Sequence, residues 1–160
     1  MDPMQIFLII LLALIVMINF RYLTVGKKKK KESTKKYARA LAVLVKNEKK
    51  LGGEGNYLAA HYVNDLGDNM LVCRSQKNSS KALVTEESFY FFEKGDSVSC
   101  EIVEECDDKG RIKSLMCKLS SMELDNDLFV IFSSKPRSRN NPISKMVADA
   151  AKDFKEEILK

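Results

Sequence analysis

The feature that most constrains this chain is an apolar run near its start. Residues 6–18, IFLIILLALIVMI, hold thirteen apolar side chains without a break. Met4 and Phe20 stretch the run to seventeen positions, with Gln5 and Asn19 as mild interruptions. Seventeen residues make about 26 Å of helix, against a hydrocarbon core about 30 Å thick. The span is short but workable, because Arg21 can extend its charge to the interface and Tyr22 suits the headgroup level. A cationic collar closes it: Arg21, Lys27, Lys28, Lys29, Lys30 and Lys31.

Two other readings compete for this stretch. A secretory signal peptide carries bases before its apolar core. Here only Met1, Asp2 and Pro3 precede the run, although Thr24-Val25-Gly26 would serve as a poor cleavage site. A buried core helix rarely ends in five lysines. The expectation is therefore a transmembrane anchor over residues 1–26 and a basic juxtamembrane linker over 27–36.

Charge then sets orientation. Nine bases lie in residues 21–39 beside one acid, Glu32, and none precedes the apolar run. Lys and Arg near a span stay on the cytoplasmic side. The expected arrangement is a single-pass membrane protein with its C-terminal domain in the cytoplasm. The lipid bilayer is its first partner, since each base near an anionic surface is worth about 1 kcal/mol. The collar also distorts the formal net charge of +5. Taking nine from 27 bases leaves 18, and removing Asp2 and Glu32 from 22 acids leaves 20. The domain after the collar is slightly acidic, which argues against a nucleic-acid reader, whose domain usually carries a basic face.

Catalytic and metal chemistry find little footing. Cys73, Cys100, Cys106 and Cys117 form no CxxC, and their spacing fits no standard zinc pattern. His61 is the single histidine, which removes most Cys–His pairs; an ordinary structural or surface role suits it better. Gly52, Gly53 and Gly55 do not follow a strand in phosphate-binding order. The paired acids Glu104-Glu105 and Asp107-Asp108 sit at a hairpin end, where carboxylates are usually solvated. No enzyme, no cofactor and no metal site is expected.

The remainder reads as mainly β: a small, partly open β-barrel or curled antiparallel sheet over residues 37–132. A linker at 133–141 and an amphipathic helix at 142–160 follow. Leu41, Val43 and Val45 alternate, which predicts a first strand over 37–46, with a continuing juxtamembrane helix as the alternative for its Ala-rich first half. Residues 57–64 and 70–75 form a hairpin about the turn 65–69, and 82–85 is a short strand. Thr85-Glu86-Glu87 opens a helical turn. Residues 97–106 and 111–119 form a second hairpin. With partners summing to 217, Cys100 opposes Cys117 and Ile102 opposes Leu115, leaving one face wholly apolar. The two thiols are then core neighbours in the cytoplasm, and a possible disulfide only in an exported domain. Residues 128–132 are a continuous apolar strand, central or closing the sheet. Asn141 and Pro142 open the last helix.

The anchor, the segment 39–46 and the run Thr85-Glu86-Glu87-Ser88-Phe89-Tyr90-Phe91-Phe92-Glu93-Lys94-Gly95-Asp96 carry a resemblance. Together they resemble bacterial single-pass proteins with a short N-terminal anchor and a small β-barrel of unknown or accessory function. It covers residues 1 to about 119 and implies a strand, a helical turn and a Gly-Asp corner, with no functional residue attached.

The expected function is a membrane-tethered interaction or scaffold module that binds another protein. Candidate contacts are the aromatics Phe89, Tyr90, Phe91 and Phe92, since aromatics enrich interface centres. The helix residues Ile143, Met146, Val147 and Phe154 offer a second candidate surface. Two alternatives remain: an OB-like barrel binding nucleic acid or another anionic polymer at the membrane, and an exported disulfide-containing domain.

Overall fold

The computed structural model describes residues 3–160, with side chains described at 13–15, 17 and 27–160. The chain divides into two compact units, residues 1–35 and 36–160. A helix, α1, runs Pro3–Asn47. Most side chains of the apolar run, and Arg21, lie outside the described residues, and so does the anchor expected there. Among the described residues, no helix is long and apolar enough to cross a membrane.

The strand expected over 37–46 is helical instead: it is the end of α1. Tyr37, Ala40, Leu41 and Leu44 fall at i, i+3, i+4 and i+7, the spacing of one helix face. Ala40 and Leu44 are buried, with Tyr37 and Leu41 packed beside them, whereas Val45 is exposed. The Ala-rich stretch favours helix as well, and both signals outweigh the short alternation of valines. A 3-10 turn, Glu48–Leu51, closes on Gly52, whose φ of 97° an L side chain rarely adopts.

Seven antiparallel strands follow in two open sheets rather than a closed barrel. The first sheet has the order β1 (Tyr57–Val63), β2 (Asn69–Ser75), β3 (Lys81–Val84), β4 (Phe89–Phe92). The second has β5 (Ser99–Cys106), β6 (Ile112–Ser120), β7 (Leu128–Ser133). The first sheet is covered on both faces. Leu71, Cys73, Ala82 and Val84 meet the tail of α1, while Val72, Leu83 and Phe92 face the main core. That double burial is why Met70, Leu71, Val72 and Cys73 of β2 are apolar in succession rather than alternating.

The helical turn expected at 85–87 is a hairpin turn. Thr85 Oγ1 accepts from the Ser88 amide at 3.1 Å, as an N-cap would. The Thr85 amide, however, donates to the Ser88 carbonyl at 2.9 Å, and the chain reverses into β4. Four consecutive aromatic residues suit a strand.

The β5–β6 register also differs. Cys100 opposes Leu119 and Ile102 opposes Cys117, so partners sum to 219, not 217. The slip is by two residues, so every side chain keeps its face. Asp107 sets it: its carboxylate accepts from the amides of Lys109 and Arg111, fixing a four-residue turn, with a bulge at Glu105/Cys106. Cys100 and Cys117 are therefore diagonal neighbours. Both are buried, and all four cysteines are free thiols.

The last helix, α2 (Pro142–Leu159), begins as expected, with Asn141 Oδ1 accepting from the Ile143 amide at 2.9 Å. It packs on both sheets. Phe154 meets Tyr62 of β1 and Phe132 of β7, each with ring centroids 5.3 Å apart. The buried stripe is Ser144, Ala151, Phe154 and Ile158, with Val147 beside it. The Ser144 hydroxyl donates to the Ser138 carbonyl at 2.8 Å, which turns that position inward and leaves Ile143 and Met146 exposed.

Candidate functional site

The groove beside β7 is the candidate site. It encloses about 630 Å³, within the range of ordinary ligand clefts. One wall is β7 itself, from Leu128 to Ile131. The opposite wall is built from the β1–β2 and β3–β4 turns, which lie at the same end of the first sheet. Met70, Leu83 and Tyr90, from the core-facing side of that sheet, form an apolar base.

Local chemistry fixes the walls. Asn64 Oδ1 accepts from the amides of Leu66 and Asp68, each at 2.9 Å, which holds the β1–β2 turn. Asp65, on the same turn, ties the two sheets together. Its amide donates to the Phe132 carbonyl at 3.2 Å. Its carboxylate accepts from the Ser133 hydroxyl at 2.9 Å and the Ser134 amide at 3.1 Å, and pairs with Arg137 at 3.4 Å. The Asp65 side chain is only 5% exposed. Arg137 in turn exchanges two backbone hydrogen bonds with Ile112, so the segment after β7 is fastened down.

Charge is arranged unevenly in the groove. Lys36 donates to Asp68 Oδ1 at 2.6 Å. That bond holds the Asp68 carboxyl below its ordinary range. Arg39 is exposed at the margin. On the β3–β4 turn, Glu86 and Glu87 face the groove, and Glu86 Oε1 is buried with no hydrogen-bond partner. A buried acceptor left unbonded costs about 1–3 kcal/mol, more when charged.

β7 is an edge strand, which corrects the central or closing place expected for it. It pairs with no strand but β6; the Asp65 amide donates to the Phe132 carbonyl at its end, and the far side before that presents backbone groups that no strand receives. Its side chains alternate: Phe129 and Ile131 are exposed, at 52% and 40%, while Val130 and Phe132 are buried. The sequence hid this, because all five residues from Leu128 to Phe132 are apolar.

The residues expected to meet a partner divide. Tyr90 lines the groove. Phe92 is buried in the main core. Phe89 and Phe91 turn to the other face, stacked at 6.2 Å, with Lys50 Nζ 5.8 Å from each ring. Phe154 is buried and Val147 half-buried, while Ile143 and Met146 are exposed. Of the collar, Lys27 to Lys31 are exposed on α1.

The other titratable side chains serve the fold. His61 Nε2 lies 2.7 Å from Asn69 Oδ1, and its ring lies 4.6 Å from that of Tyr37. Burial pushes the Cys73 thiol up to about 12. A hydrogen bond between Cys117 and Cys100 raises the first thiol and lowers the second. The Tyr62 hydroxyl is raised by burial and by its 2.9 Å bond to Asp153. Among the described residues, no three His, Cys, Asp or Glu side chains gather as a metal site. Comparison with protein-family models, curated proteins and solved structures finds no match.

Proposed function

We propose that this chain is a membrane-tethered interaction module without catalytic activity: a single N-terminal span anchors it, and the β domain, held in the cytoplasm, binds another protein. The observation that carries the binding half is the groove beside β7, which combines an apolar base, an open strand edge and an unbonded carboxylate oxygen. These groups offer contacts and hydrogen bonds. The tether rests on the apolar run and on the exposed lysines 27–31, which form no ion pair among the described residues. Leu14 and Met17 also present apolar side chains outward from α1. Tethering raises the local concentration of whatever the domain binds.

Vesicle flotation tests the tether. The full chain is expected to float with vesicles containing anionic lipid, and a fragment of residues 33–160 is expected to stay in solution. Full-length protein recovered in the soluble fraction overturns it.

A further inference from the structure

Every sheet here has two edges, but the four are not equivalent. β5 carries Glu101, Glu104 and Glu105 and ends in a bulge, both of which discourage edge pairing. β4 is only four residues long, and β1 exposes Leu58 and Val63 but none of its residues lines the groove. β7 alone joins an open edge, two exposed large apolar side chains and a groove of about 630 Å³ alongside. The second sheet has three strands and the first has four. The groove is lined by Leu128 to Ile131 of β7, the open-edged strand of the three-stranded sheet.

We propose that the groove takes an extended peptide segment of a partner protein, which adds to β7 as a fourth strand and sets a basic side chain against Glu86. The proposal rests on the interaction-module reading and names its partner class. Strand addition supplies main-chain hydrogen bonds for affinity, and pockets for alternate side chains for specificity. Here the partner's inward residues are apolar, to meet Met70, Leu83 and Tyr90. The basic side chain follows from charge: of the lining cations, Lys36 is engaged by Asp68 and Arg39 is exposed at the margin, whereas the lining carries three carboxylates, Asp68, Glu86 and Glu87, and Glu86 Oε1 is buried without a donor. A Lys or Arg from the partner supplies the missing donor in a charge-assisted bond. An acidic segment would instead bury a second carboxylate against an unbonded one.

The test uses the full chain in detergent micelles. The probe is a fluorescent peptide of about ten residues, alternating valine and threonine with one central lysine. The expected result is a saturable anisotropy rise, with slowed amide exchange confined to residues 128–133. Ile131→Lys places a lysine on the edge, as natural edge strands do to block pairing, and is expected to weaken binding by about tenfold or more. Phe129→Lys, also at an exposed position, gives the same result independently. Glu86→Gln is expected to abolish the preference for the lysine peptide over one with a central glutamate, without abolishing binding. No anisotropy rise, unchanged affinity in both lysine variants, or protection away from β7 overturns the proposal. A dimer in sedimentation with β7 already protected before peptide is added also overturns it, and assigns the edge to a second copy. Flotation is read separately. Lost peptide binding with intact flotation removes only the strand-addition proposal, and the converse removes only the tether.

Discussion

Asp65 bonds across the gap between the two sheets to Ser133, Ser134 and Arg137. Nothing in its local sequence, DLGDN, separates it from a solvated turn residue such as Asp68. The difference is tertiary: its side chain is 5% exposed and that of Asp68 is 44%. Removing one partner of a buried ion pair leaves the other uncompensated, so Asp65→Ala is expected to cost about 3 kcal/mol, read from a urea unfolding midpoint. Asp68→Asn tests the exposed pair. Lys36 lowers the folded Asp68 pKa, so the pair's stabilisation is present above the unfolded value near 4 and fades as pH falls through the folded one. Solvent screening keeps it below about 1 kcal/mol. The expected result is a small loss at pH 7 that vanishes in strong acid; a loss that persists there would refute the linkage to Asp68.

At the scale of elements, legibility depended on whether one face or two are buried. Strand β6 reads cleanly, because Leu115, Cys117 and Leu119 are buried while the residues between them are only half-buried. The β5–β6 pairing was legible as to face but not register, since a two-residue slip leaves the apolar set where it was. Deciding between 217 and 219 needed the Asp107 hydrogen bonds. The end of α1 is ambiguous in the sequence because two periods coexist in YARALAVLVK, and the contact with Leu71 and Val84 selects the helical one. Helix α2 was legible from its cap. Asn141→Ala is expected to cost about 1 kcal/mol through loss of the bond to Ile143. An unchanged thermal midpoint would show that the helix start is held by Ser144 and its neighbours instead. The groove was not legible. It is a relation between β7 and two distant turns, and the run LFVIF carries no sign that alternate residues face outward.

At the scale of the whole molecule, sequence and structure divide the evidence for the proposed role. The apolar run and the lysines were visible at once, and the expectation of location rests on them. The candidate groove came only from the fold. The flotation experiment carries a further expectation here. Raising salt should weaken the lysine contribution to membrane attachment without releasing an inserted span, because screening acts on exposed charges and not on apolar burial. Full release by salt alone would mean that the chain is only electrostatically attached.

The helical tail packed on the first sheet serves as a cover. Ala40, Leu44 and Leu51 fit against Leu71, Cys73 and Val84. Removing residues 36–51 would leave every strand pairing of that sheet in place but strip the apolar face opposite the groove. Half of what makes the first sheet a buried layer is therefore supplied by chain that precedes its first strand.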